Sequence, residues 1–160
     1  MKFDTSNKYK AISAVEYLNS LISKLKHVEI RELKMKRSLD ANSLYWVWLT
    51  CIEVENGINK NDAHLLYRAM YLRRDEDYII KIIRPELWLN LRILIDQFHY
   101  FKGLDQIIDV IAESTTEQDS PKFNEYLNKI KVHAKNNMGI VLLNLDEENF
   151  REFYREYGFR

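Results

Sequence analysis

Lys34, Lys36 and Arg37 run directly into Ser38, Leu39, Asp40, Ala41 and Asn42, and Ser38 suits the capping position of a helix. The free amides at a helix N-terminus favour anions, so cations converging there mark a seat for phosphate. Asp40 opposes this, because a carboxylate in the first turn repels phosphate. At about 100° per residue, Tyr45, Trp48, Leu49 and Ile52 form one apolar stripe, which Leu44, Val47, Cys51 and Val54 widen. The remaining wedge holds Asn42, Trp46, Thr50 and Glu53. Trp46 is its aromatic member, placed where a base can stack on it; packing under another helix or in a subunit interface is the competing role. Arg73 and Arg74, at the end of a later helix, extend the cationic track.

Signatures of catalysis are missing. The sequence has no glycine-rich phosphate loop, no His-Glu-x-x-His and no Gly-x-Ser-x-Gly turn. His27, His64, His99 and His133 are isolated from one another along the chain and neighbour hydrophobic residues, as ordinary half-buried or surface histidines do. Cys51, the only cysteine, lies in an apolar helix between Thr50 and Ile52 and reads as a small core side chain. The pairs Asp75/Asp77 and Asp105/Asp109 offer carboxylates for Mg²⁺, but acidic residues at loop and helix ends are usually only solvated. The expectation is a non-enzymatic protein with no cofactor; a metal-dependent nuclease ranks well behind.

The elements that must position these groups are mostly helices. Tyr9, Ile12, Val15, Leu18, Ile22 and Leu25 recur at helical spacing from about Ser6 to Lys26. From His27 to Lys36, Val28 and Ile30 alternate, then Leu33 and Met35 take the opposite parity, predicting a strand with a bulge near Glu32. The motif helix then runs from Ser38 to about Asn56, with Gly57 placed for a left-handed end. A helix after Asp62 reaches Leu72. The run Tyr78 to Ile83 reads as strand or buried helix turn. Pro85 opens a helix with Leu87, Trp88, Leu91, Leu94, Ile95 and Phe98 on its apolar face, Gly103 interrupts, and Leu104 to Ile111 continues. Ser114 to Ser120 is a loop, Ser120-Pro121 starts a helix that Gly139 ends, and Ile140 to Leu143 suits a strand edge. A last helix spans about Asp146 to Tyr157, opened by acidic residues.

This pattern predicts an α+β fold, mainly α-helical, with a small β element between the first two helices and a single domain over residues 1–160. Composition agrees: 160 residues, 46% hydrophobic and 30% charged, with only 4 Gly and 2 Pro, favour long helices over a turn-rich sandwich. No apolar run reaches the ~18 to 20 residues of a membrane span, and the start lacks a signal-peptide stretch, so a cytoplasmic location and no membrane association are expected. The net charge of zero hides an imbalance. Residues 1–74 hold 13 Lys+Arg against 8 Asp+Glu, and residues 75–160 hold 11 against 16, so the front half can attract nucleic acid or an acidic partner.

Arg37-Ser38-Leu39-Asp40, followed by Asn42 and Trp46, resembles the R-S-L-x-Q-N-x-x-x-W pattern of the NinB family, the phage Orf recombination mediators; Ala41 stands where the family pattern has Gln. Ser114-Thr115-Thr116, the helix through Asn124 to Ala134, Gly139-Ile140 and Phe153 to Gly158 resemble the carboxyl-terminal part of NinB-like phage and prophage proteins. The likeness covers roughly residues 12–72 and 114–158 and leaves out about 75–113. It implies a DNA-binding homodimer that prefers single-stranded DNA, helps load a recombinase and cooperates with single-strand binding protein. Only Arg37, Ser38, Leu39, Asp40, Asn42 and Trp46 carry over from the motif; with the cations read above, the candidate DNA-binding residues are Lys34, Lys36, Arg37, Ser38, Asn42, Trp46, Arg73 and Arg74, and bracing the turn through nearby backbone is the other role for Asn42. The alternative is a protein–protein interaction module without DNA affinity, using exposed aromatics as its contact patch.

Overall fold

The computed structural model describes residues 8–24, 27 and 39–158, with the backbone alone for 8–11, 13, 39 and 40. The chain divides into two compact units, Met1–Lys34 and Met35–Arg160. In the first, α1 (Lys8–Ser23) has the expected periodicity, and its stripe residues Ile12, Val15 and Ile22 remain about half exposed.

The second unit is built on two helices, α2 (Leu39–Asn56) and α3 (Lys60–Tyr71). Gly57 has φ +84°, a conformation open to glycine at little cost, and lets the chain turn sharply after α2. Asn59 Oδ1 then accepts from Asn61 N at 2.9 Å and caps α3. So short a connection makes the two helices packed neighbours. Leu44, Tyr45, Val47, Trp48, Leu49, Cys51 and Ile52 of α2 are all buried, an arc of about 200° around the helix.

Two hydrophobic cores meet at α3. The first joins Tyr67 of α3 to the α2 residues, to Phe123, Tyr126, Leu127 and Ile130 of α7 (Ser120–His133), and to Phe153 and Tyr157 of α8 (Phe150–Tyr157). The second joins Leu66 and Ala69 of α3 to Ile79 of α4 (Glu76–Ile80), to Trp88 and Ile95 of α5 (Pro85–Asp96), and to Leu104, Ile108 and Ile111 of α6 (Leu104–Ile111). Arg68 is buried beside them, where its guanidinium donates to Glu113 O at 3.0 Å and to Asp109 at 2.9 Å. α7 continues into a single π turn, Ala134–Met138, before Gly139 at φ +67°.

The expected α+β class is corrected: the described residues form an all-α arrangement without strand or sheet. Only one isolated antiparallel bridge occurs among them, Arg73 with Ala112, where the end of α3 meets the end of α6. The strand expected over 27–36 lies outside the described residues except for His27, which is exposed. Ile140 to Leu143, the other expected strand edge, is irregular chain. Ile140 and Leu142 are buried against α2, and Trp48 Nε1 donates to Leu143 O at 2.8 Å. That backbone is held by a side chain and a helix terminus instead of a ladder, since Ile140 N donates to Ala134 O at 3.0 Å. The last helix also begins later than its acidic residues suggest. Glu147 is drawn to Lys131 and to Asn144 N, and Asn149, at φ +67°, precedes the first helical residue.

Candidate nucleic-acid interface

Lys34, Lys36, Arg37 and Ser38, the cationic approach to the motif helix, lie outside the described residues. Asn42 and Trp46 follow one turn apart in α2, both partly buried. The polar wedge on which Trp46 was expected to face a ligand is where the start of α3 docks. Glu53 accepts from Asn59 Nδ2 and from Lys60 N at 3.3 Å each, and Thr50 is buried, its hydroxyl donating to Trp46 O at 3.0 Å. Trp46 lies against His64 of α3, with ring centroids 5.2 Å apart and planes at 33°. It also packs on the first core.

Beneath Trp46 lies a hydrogen-bonded aromatic group. The Tyr45 hydroxyl is 2.7 Å from His64 Nδ1 and 3.0 Å from the Tyr126 hydroxyl, and Phe123 meets the Tyr45 ring edge-on. A second pair lies at the end of α7, where the Tyr67 hydroxyl is 3.2 Å from His133 Nδ1. Burial pushes the Tyr126 and Tyr67 hydroxyls well above their ordinary range and pulls His133 below the usual imidazole range. Both tyrosines therefore stay neutral, and His133 favours its neutral form.

Arg73 and Arg74 stand at the other end of α3, where a rise of about 1.5 Å per residue carries Tyr71 roughly 10 Å beyond His64. The two arginines differ in use. Arg73 donates to Asp96 at 2.5 Å and to Ala69 O at 3.0 Å, with its guanidinium 5.5 Å from the centre of the Trp88 ring. It ties the end of α3 to α5. Arg74 has its guanidinium 5.9 Å from the centre of the Tyr78 ring, and its buried Nε has no hydrogen-bond partner among the described residues. The acids that follow are largely engaged, with Asp75 capping α4 and Glu76 accepting from Arg92 at 2.8 Å and Trp88 Nε1 at 3.2 Å. Tyr78 is 48% exposed, leaving much of its surface open to a ligand.

A cleft that the sequence does not announce opens between α2, α8 and the chain after Gly139. Its volume is about 380 Å³, and Cys51, Ile140, Leu143 and Phe153 line it together with Glu55, Glu152 and Glu156. Tyr157 donates to Glu55 at 2.5 Å. Burial foremost, against a hydrogen bond to Tyr157, pushes the Cys51 thiol up to about 11, so it stays protonated at neutral pH. Three carboxylates around one opening repel phosphate, which places this side of the molecule at a disadvantage for nucleic acid. The residues come from positions about a hundred apart in sequence, and no local motif connects them.

Asp109 pairs with Arg68, His99 is exposed, and among the described residues no group of three His, Cys, Asp or Glu side chains is arranged to hold a metal ion. No helix among the described residues is long and apolar enough to cross a membrane. No family model matches the chain, and neither a curated protein nor a solved structure shows significant similarity to it.

Proposed function

We propose that this protein binds single-stranded DNA as an accessory factor in recombination, the role that the likeness of Arg37 to Trp46 to the NinB pattern implies, with single-strand binding protein and a recombinase as its partners. One observation supports the nucleic-acid reading above others: the Arg74 guanidinium. Its Nε is closed off from any ligand, but Arg74 as a whole is partly exposed, so its positive charge attracts phosphate to the side of the Tyr78 ring. The half-exposed Tyr78 ring beside it offers a face to a base, the combination of cation and aromatic that single-strand binding uses. Arg73 contributes by fixing the end of α3, and Trp46 by closing the aromatic group over His64.

A second reading is an interaction module without DNA affinity, favoured by the carboxylate-rimmed cleft, which suits a basic protein segment. Titration with labelled single- and double-stranded oligonucleotides at two salt concentrations separates the two. The first reading expects a salt-sensitive complex with single strands, weakened for every sequence by Arg74→Ala, with the logarithmic salt slope shallower by about 0.7. Absence of any complex at about 50 mM salt defeats it.

A further inference from the structure

The cleft between α2, α8 and the chain after Gly139 has an apolar floor and an acidic rim. Ile140 and Phe153 line it as buried side chains, Leu143 is partly buried, and Val141 stands at the mouth, 59% exposed. Glu55, Glu152 and Glu156 are all exposed around it, and no Lys, Arg or His joins the lining. Glu55 accepts from Tyr157, but none of the three carboxylates is ion-paired with a described residue. Arg151 and Arg155 of the same helix α8 are exposed and lie outside the lining. Glu152 and Glu156 are one turn apart, a spacing at which like charges destabilise a helix, and bound positive charge relieves that repulsion.

We propose that this cleft docks a short segment of a partner protein in which an aliphatic residue is followed by Arg or Lys. The rim sets the sign of the ligand. Three carboxylates without a cation of their own match positive charge. Among the described residues no group of three His, Cys, Asp or Glu side chains is arranged to hold a metal ion, so the match is charge carried on a longer ligand. The floor sets its shape. Arg and Lys lay their aliphatic stems on apolar surface and keep the charged head outside, which is the layout of floor and rim here. A neighbouring aliphatic side chain covers the rest of the floor. Asn149 adds the third element: it lines the cleft, is exposed and makes no side-chain cap to α8. Its carboxamide both donates and accepts, which suits a peptide group better than a free amine. The volume of about 380 Å³ is near the lower end of the roughly 300 to 1,000 Å³ of ligand clefts and admits a few side chains, not a folded surface. The inference deepens the reading of the cleft as a seat for a basic segment, and it does not need DNA affinity to be absent.

Fluorescence anisotropy on the full chain tests it, with the labelled peptide Gly-Leu-Arg-Leu-Arg-Gly at about 50 mM salt to limit screening. Ordering so short a segment limits affinity, and a Kd between about 10 μM and 1 mM is expected. Gly-Leu-Glu-Leu-Glu-Gly, which reverses the charge, and Gly-Ser-Arg-Ser-Arg-Gly, which removes the aliphatic residues, should each bind about tenfold more weakly. Glu152→Gln/Glu156→Gln, isosteric and at exposed positions, should weaken the first peptide about tenfold, as the loss of two exposed ion pairs predicts. Glu125→Gln, outside the lining, should leave its Kd unchanged. Should the double variant lose its helical circular dichroism, Val141→Lys at the exposed mouth decides, with the same loss expected. No complex at about 1 mM peptide, control peptides that bind equally, an unchanged Kd in the folded variant, or an equal loss in Glu125→Gln would each overturn the proposal. Binding of spermidine without binding of the peptide would also overturn it, by assigning the cleft to a free polyamine. A peptide complex in a chain that also binds oligonucleotides upholds the docking site and ends only the reading without DNA affinity.

Discussion

The two cores that flank α3 are held by different means. The first is crowded with aromatic residues whose polar ends are paired: Tyr45 with His64 and Tyr126, Tyr67 with His133, Tyr157 with Glu55, and Trp48 with Leu143 O. The second is almost wholly aliphatic around Trp88. Directional bonds fix one arrangement in the first core, because each unmet partner is costly. The second depends on buried area, which many packings can supply. Polar recognition groups accordingly cluster around the first core and at the junction, while Leu87, Leu89 and Ile93 of α5, beside the second, stay about half exposed.

Truncation provides the largest break in this contrast. Trp48→Ala removes a ring 1% exposed together with its bond to Leu143, and should cost about 3 to 5 kcal/mol in urea unfolding. Trp46→Ala, at a partly buried ring, should cost about 1 to 2 kcal/mol. An equal loss at the two positions would show Trp46 to be as much core as Trp48.

Tyr45→Phe sharpens the contrast without altering shape. Removing the hydroxyl deletes two hydrogen bonds at once, to His64 Nδ1 and to the Tyr126 hydroxyl, and a cost of about 1 to 3 kcal/mol is expected. Leu66→Met in the second core should cost less than about 1.5 kcal/mol. The order of the two midpoints in denaturant checks whether directional bonds or area dominate.

Acid should act selectively on the first core. Burial holds the folded-state pKa of His133 below its unfolded value near 6.5, so the unfolded chain takes up the proton first. The stability from neutral His133 is present in full above that unfolded value and is lost as pH falls through it toward the folded value. Melting temperatures from pH 7 to 5 should fall less steeply in His133→Gln than in wild type. An unchanged slope would remove His133 from the acid response. The smallest effect belongs to the exposed pair Lys129–Glu125 on α7, where Lys129→Ala should cost only about 0.3 to 0.5 kcal/mol.

Much of the helical frame is legible in the sequence because its punctuation is local. Gly57 after α2, Pro85 at the start of α5, Gly103 before α6 and Gly139 after α7 all stand where the chain turns. Side-chain environments are less legible. Wheel geometry assigns Trp46, Thr50 and Glu53 to a polar face, but the polar face of a helix can dock on another helix when its partners are a cap and a histidine, and here they are Asn59 and His64. The apolar run Ile140 to Leu143 suggests a strand because a short continuous apolar stretch is the mark of one, yet here Ile140 and Leu142 are buried while Val141 is exposed with no neighbouring strand among the described residues. The cleft of Glu55, Glu152 and Glu156 depends on how α8 returns to α2, which no spacing along the chain encodes. The different use of Arg73 and Arg74 is likewise a product of packing: the two are identical in type, and Ala69 O, Asp96 and the Trp88 ring hold the first while the second lies beside Tyr78.

The π turn at Ala134–Met138 has a consequence for how the gene tolerates change in length. A π turn is an α-helix carrying one surplus residue, and removing that residue restores the regular ladder. A bond from i to i+5 spends five residues on about the rotation that four cover in a regular helix, so the deletion should leave the chain beyond the turn near its present direction. Ile140 and Leu142 would still enter the first core, and Leu143 O would stay beside Trp48 Nε1. The surplus residue therefore acts as slack. At this point the fold tolerates the loss of a single codon, whereas a deletion inside α2 would wheel its buried stripe by about 100°.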